Sequence, residues 1–298
     1  MNPYLAELLE RPAKLPTLPE VVRGIMESFG DENVSIEALS KQISLDPIIV
    51  AKLLRLANSA FYRSSRQILS VDECLLLLGM TTVRNVVLGC GLKDTFAPLP
   101  GIDLRALWNH SVQTACMARR LARTLGLNAE LAFTAGLMQG IGQLLIHKRE
   151  VERAAQISQV VDMLHPDRAS IELRALHFHF GEVSAALART WNLPESIAGT
   201  LEAVPLPLRA DPANPIATCV HLASWVVWCT QALQAGKIAS AQDASPTYPA
   251  QACALLGLDW LWWPSSLDGA APAGLPPGRK ERLPEVGAAI AGLEELLH

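Results

Sequence analysis

The sequence predicts an all-α protein, built as two packed helical lobes followed by a proline-rich extension. Three observations carry this. Apolar residues recur at a spacing near 3.6, and no stretch alternates as a half-buried strand would. Ala and Leu are abundant while aromatic residues make up only 5%, a mixture that loses little entropy on forming helix. Capping residues and glycine stops punctuate the apolar runs. With 298 residues, 50% of them hydrophobic and 18% charged, the chain has the profile of a globular protein able to bury a core without disulfides or a metal.

Taken in order, Pro16 and Pro19 open a helix through Val21, Val22, Ile25 and Met26 to Phe29, and Gly30 ends it. Ser35 is the N-cap of the next, with Leu39 and Ile43 on its inward stripe. Asp46 caps a third helix whose first position is Pro47, where a missing N–H costs nothing. Asn58-Ser59 ends it, Asn being tolerant of left-handed geometry. Ser70 caps Val71 to Leu78, closed by Gly79, and Thr81 or Thr82 starts a longer helix reaching Phe96. Two prolines and a glycine within residues 97–101 mark a linker. Asp103 caps a long helix to Leu125, stopped by Gly126. Further helices are expected over residues 129–147, opened near Gln139-Gly140-Ile141-Gly142, and over 150–164, 167–178, 182–191, 194–203 and 213–235. Seven prolines then fall within the last 63 residues, giving a loop-rich region with short helices near 251–256 and 284–297, anchored by Trp260, Trp262 and Trp263. The expected organisation is residues 1–100, 101–235 and 236–298.

Composition narrows the function. The net charge is −4, and residues 1–100 hold ten Lys/Arg against eleven Asp/Glu, so no basic domain suited to nucleic acid hides in the average. Short N-terminal helices can mimic helix-turn-helix patterning, but no base-reading helix accompanies them. The six cysteines show no zinc or redox spacing and sit mostly in apolar runs, which fits a reducing compartment. The first fourteen residues hold no apolar signal core. The best candidate membrane span, residues 217–233, contains His221 and Gln231 and reads as too short and too polar. A cytoplasmic protein engaging neither nucleic acid nor membrane is expected.

The most informative stretch is AFTAGLMQGIGQLLIHK, Ala132 to Lys148. It resembles the metal-binding helix of HD-superfamily phosphohydrolases, which typically reads A-G-L-L-H-D-I-G. LPTLPEVV from Leu15, DPIIVAKLLRLANSAFY from Asp46 and LLLLGMTTVRNVVL from Leu75 are similar to the HDOD family, an all-helical, HD-related branch of bacterial signalling proteins. The resemblance covers roughly residues 10–230 and implies that the C-terminal lobe is an HD-like helical bundle. It also implies where metal ligands would stand. His110 in W-N-H-S-V matches the first His, and Gln139 and Gly140 replace the His-Asp dyad. Ser224 in H-L-A-S-W replaces the late Asp, and His177 in H-F-H-F-G-E-V matches a His of phosphodiesterase relatives. The paired His expected after L-P-E-S-I is absent, and Glu202 and Ala203 lie near its place.

A di-metal hydrolase needs carboxylates and imidazoles around an open coordination position. Here the carboxylates are gone, and two neutral imidazoles do not hold a hard cation. The expectation is no catalytic residue, cofactor or metal, and a regulatory protein that binds other signalling proteins. The alternatives are a divergent metal-dependent phosphohydrolase and a sensor of a nucleotide or cyclic dinucleotide. The remnant-cavity candidates are His110, Gln139, Gly140, His177 and Ser224. A softer metal would need His110, His177, His179 and His221 to converge. Gly136, Gly140 and Gly142 permit close helix approach that could shut the cavity. Arg55, Arg63, Arg66 and Arg84 are the candidates for a partner surface, with a solvated face as their plainer reading. No receiver, GGDEF or kinase-like segment is present.

Overall fold

The computed structural model describes residues 2–10, 15–27, 35–59, 62, 66–96, 98–239 and 247–258. Phe61, Arg63, the three tryptophans at 260–263 and the expected helix over 284–297 lie outside the described residues. Among the described residues every regular element is helical. The N-terminal elements are α1 (Pro3–Glu10), α2 (Glu20–Glu27), α3 (Ile36–Ile43), α4 (Pro47–Ala57), α5 (Val71–Leu78) and α6 (Met80–Thr95). The C-terminal ones are α7 (Leu104–Thr124), α8 (Ala129–Met138), α9 (Ile141–Arg149), α10 (Val151–Val160), α11 (Arg168–Leu176), α12 (Phe180–Thr190), α13 (Glu195–Ala203), α14 (Pro215–Gln234) and α15 (Ala250–Leu255).

The expected caps are made. Ser35 Oγ accepts from the Ala38 amide, and Asp46 Oδ1 accepts from both Ile48 and Ile49. Ser70 Oγ accepts from Glu73, and Asp103 Oδ1 from Ala106. Each such cap is worth about 1 kcal/mol. Asn58 works differently from expectation. Its φ is −90°, not left-handed, and its carboxamide donates to the Leu54 and Ile68 carbonyls while accepting from the Ile68 amide, each at 2.8 Å. It thereby pins the end of α4 to the segment entering α5. Gly79, at φ +81°, both closes α5 and opens α6, so α6 begins at Met80 and not at a threonine. The two helices meet there at 116°.

Helix α1 was not expected from its polar, acidic sequence. It buries Leu5 and Leu8 and lies on the C-terminal lobe. Asn2 donates to the His177 carbonyl, Arg149 donates to the Leu8 carbonyl, and Trp191 Nε1 donates to the Pro16 carbonyl at 2.8 Å. From the other side, Asn85 of α6 donates to Glu130 of α8 at 3.2 Å. The buried apolar side chains form one continuous cluster from Leu5 to Leu258.

Helices α7, α8 and α14 pack together at the centre of the C-terminal lobe, α13 packs on α8 and α14, and α12 packs between α13 and α9. A Cβ on Gly136 would lie 2.8 Å from the Ala115 Cα, so α7 and α8 touch backbone to backbone there. The apolar run from Ala129 breaks at Gln139-Gly140, as its sequence suggested. Ser184 of α12 supplies the cause: its hydroxyl donates to the Gln139 carbonyl at 2.8 Å and accepts from the Gly142 amide at 2.9 Å. The Gln143 amide then bonds to Gly140, one residue short of an α-helical partner. Below this break Arg168 and Glu172, both fully buried, pair at 2.8 Å. Arg168 also donates to Ser158 Oγ and the Val161 carbonyl, and Glu172 accepts from the Phe180 amide. One buried ion pair thus holds α10, α11 and α12 together.

One sequence expectation is corrected. Helix α14 extends over 20 residues, because Pro215 and Ile216 precede the run that was judged too short. By length and composition it and the stretch Ala129–Arg149 are both long and apolar enough to cross a membrane, although most of each is buried within the fold.

Gly142 and Gly199 provide a matched test of the close contact. A Cβ at Gly142 would meet the Phe180 carbonyl oxygen at 2.1 Å, whereas one at Gly199 would reach only Glu195 Oε1 at 3.7 Å. Gly142→Ala is expected to lower unfolding free energy in urea by about 1–3 kcal/mol. Gly199→Ala is expected to raise it by roughly 0.5–1 kcal/mol through helix propensity alone.

Candidate functional site

The break between α8 and α9 turns Gln139 toward a small cavity of about 50 Å³. Its lining includes His110 and Ser111 from α7, Gln139, Gly140 and Gln143 from the break, and His221 and Ser224 from α14. His165, Leu107, Phe180, Trp225 and Trp228 complete much of the wall. The expected closure by glycines is therefore incomplete. A Cβ on Gly140 would lie 3.0 Å from Leu107 Cδ1, so the approach there is close, but a hollow remains.

Inside it one line of polar side chains is bonded end to end. Gln139 Nε2 donates to Ser224 Oγ at 3.2 Å. Ser224 Oγ lies 3.0 Å from His110 Nε2, and His110 Nδ1 lies 3.2 Å from Gln231 Oε1. Gln231 Nε2 donates to Gln113 Oε1 at 2.8 Å, and Gln113 Nε2 donates to Asn109 Oδ1 at 2.9 Å. These contacts fix the tautomer. Gln231 presents an acceptor, so His110 carries its proton on Nδ1 and offers a lone pair on Nε2. Ser224 must then donate to His110 while accepting from Gln139. All five bonds run donor to acceptor in one direction, an order in which each polarises the next. Burial drives His110 down to about 4, against a smaller upward pull from Gln231, so the ring is neutral at physiological pH.

The donor set does not suit the divalent metals that an HD-type site implies. Both ring nitrogens of His110 are engaged, Gln139 offers an amide, Gly140 offers no side chain and Ser224 is a neutral hydroxyl. Among the described residues no three His, Cys, Asp or Glu side chains converge as ligands. The four histidines do not gather. His110 and His221 line the cavity, but His177 is exposed, with its backbone in the left-handed region at φ +67° and its ring 4.5 Å from that of Tyr4. His177 ends α11, and that turn carries it to the outer surface, so it is not a cavity residue. His179 serves as the N-cap of α12, its Nδ1 accepting from the Gly181 amide while Glu182 bonds back to the His179 amide. Glu202 lies on the surface, bonded to Arg189 at 2.8 Å.

The surface candidates separate as well. Arg55 is exposed on α4, Arg66 pairs with Glu73 at 3.1 Å, and Arg84 is half-buried on α6. Arg63 lies outside the described residues. Sequence reasoning missed Gln143, Gln231, Gln113, Ser184 and His165. Gln143 is buried on the cavity wall, with no close hydrogen bond at either end of its carboxamide. A helix-face count from His110 would have found Gln113, but nothing local marks the other four.

Comparison with known proteins identifies the fold. The HDOD domain model matches residues 15–204. A Shewanella amazonensis SB2B structure described as "Putative phosphohydrolase" superposes with a TM-score of 0.70 at 25% identity, over 99% of this chain and 96% of that one. A Marinobacter aquaeolei VT8 structure described as "Putative signal transduction protein" has a TM-score of 0.67 at 20% identity, over 86% of this chain and 59% of that one. An uncharacterized protein of Treponema pallidum (strain Nichols) is 23% identical over 225 residues, which is 74% of this chain but 44% of that protein. The chain thus spans about half the length of that curated relative.

The buried rings make a pH signature. His110, His179 and His221 are all pushed by burial from 6.5 to about 4. In the unfolded chain they take up protons below about 6.5, while the folded protein resists doing so until about 4. Their contribution is complete above pH 6.5 and is lost as pH falls toward 4, at about 1.4 kcal/mol per pH unit for a fully shifted ring. Urea unfolding at pH 7, 6 and 5 is expected to show this decline, and His110→Gln to make it shallower.

Proposed function

The chain belongs to the HDOD domain family, and from that premise we propose a non-catalytic regulatory protein that acts by binding a partner or effector. The neutral relay from Gln139 through Ser224 and His110 to Gln231 carries this reading. Metal-assisted hydrolysis needs a cation that ionises a bound water, and the cation needs anionic ligands. The relay offers none, and it uses the one imidazole in the ancestral position as a link between α7 and α14.

The size of the cavity supports the same conclusion. A volume of about 50 Å³ has room for a few water molecules. Small-molecule sites commonly run to about 300–1,000 Å³, well above this volume. The sensing of a nucleotide in the remnant cavity is therefore not the reading adopted. Signalling fits the name borne by the Marinobacter neighbour, and hydrolysis the name borne by the Shewanella one. The neutral relay supports the former reading.

Full-length protein incubated with Mn²⁺ and bis(p-nitrophenyl) phosphate is expected to release p-nitrophenol no faster than buffer with Mn²⁺. A metal-dependent rate that vanishes in His110→Ala would overturn the reading.

A further inference from the structure

Beside the small cavity lies a second hollow of about 490 Å³, roughly ten times larger. The two share Pro166, Pro205 and His221. The larger one lies between the turn Pro207–Arg209, the start of α11, and the segment entering α15. Its volume falls in the range usual for small-molecule sites.

Its apolar walls are rigid. Four prolines, at positions 166, 205, 207 and 249, stand on the lining, and each locks its own φ. Tyr248 is held from behind, its ring edge-on to Trp225 at 5.2 Å and its hydroxyl 3.3 Å from Cys253 Sγ. Trp225 Nε1 donates to Thr247 Oγ1 at 3.0 Å, which fixes the next residue. A preformed wall of this kind spares a ligand the cost of ordering its site.

Its polar groups are few and specific. His221 Nδ1 donates to the Val204 carbonyl at 3.0 Å, and burial keeps the ring neutral, so Nε2 is left as an acceptor on the shared wall. Arg209 is the cation on the lining and makes no ion pair among the described residues. Asp167, the acid on the lining, is mostly exposed and lies 3.9 Å from His165 Nδ1. One cation with one nearby acid favours a ligand bearing a single negative charge and disfavours a polyanion.

We propose that this hollow is an effector site for a small aromatic ligand with one anionic group. The ring lies against Tyr248 and the prolines, the anion on Arg209, and a ring N–H on His221 Nε2. The proposal rests on the non-catalytic reading and names its effector class, while its test is separate. Loss of this site leaves the absence of hydrolysis intact, and hydrolysis would leave binding here intact.

Indole-3-acetate is the probe, with uncharged indole-3-acetamide as its control, titrated against the full chain by calorimetry and saturation-transfer NMR. The acetate is expected to bind more tightly than the acetamide. Arg209→Gln, a surface change, is expected to weaken the acetate at least fivefold and leave the acetamide unchanged. Ser170→Trp fills the hollow and is expected to abolish both, with circular dichroism confirming the fold. Binding of neither probe at millimolar concentration, equal binding of the two, or binding that survives Ser170→Trp would each overturn the proposal.

Discussion

The contact between α9 and α12 at Gly142 is the constraint from which the site follows. A continuous helix from Ala129 to Arg149 would be the default for so apolar a run. Ser184 prevents it by taking the Gln139 carbonyl and the Gly142 amide for itself. That exchange trades two intrahelical bonds for two bonds to a hydroxyl, so it is nearly neutral in hydrogen-bond count. What fixes it is sterics: only a residue without Cβ lets the Phe180 carbonyl approach so closely. Once the helix is broken there, Gln139 faces α14 and not the neighbouring turn, and the cavity lies between them.

Given that frame, the chemistry turns on charge. A cluster of carboxylates buried in such a space would have to be neutralised by metal, because isolated buried anions carry a heavy desolvation cost. Gln139, Gly140 and Ser224 are neutral and carry no such cost. His110 would then be a buried ring with two nitrogens to satisfy. Ser224 on one side and Gln231 on the other do so, and the ring stays neutral because burial penalises its charged form. His110 is a cross-brace joining the two longest helices of the lobe.

What was legible in the sequence was mostly local. Ser35, Asp46, Ser70 and Asp103 announce helix starts because a cap and its amides lie within three residues of each other. The motif around Gln139 was legible because the family spacing survives on both sides of the altered dyad. His177 was misplaced for a physical reason. It sits where α11 ends in a left-handed turn, and that turn, invisible in composition, carries the ring outward. Gln231 and Ser184 were missed because their partners are 121 and 42 residues distant, and no spacing rule reaches that far. Helix α1 was missed because its stability comes from docking on Arg149 and His177, and not from its own polar sequence.

The two hollows differ in how their polar groups are engaged. In the small one the relay commits His110, Gln139 and Ser224 to one another, so a ligand displacing them would leave buried polar atoms unpaired, at about 1–3 kcal/mol each. The larger one has rigid walls and groups not already committed to one another. His221 belongs to both, and its Val204 bond orients it in the same way for each. A ligand held on His221 would press on α14 at a position one turn before Ser224, on the helix that also carries Gln231.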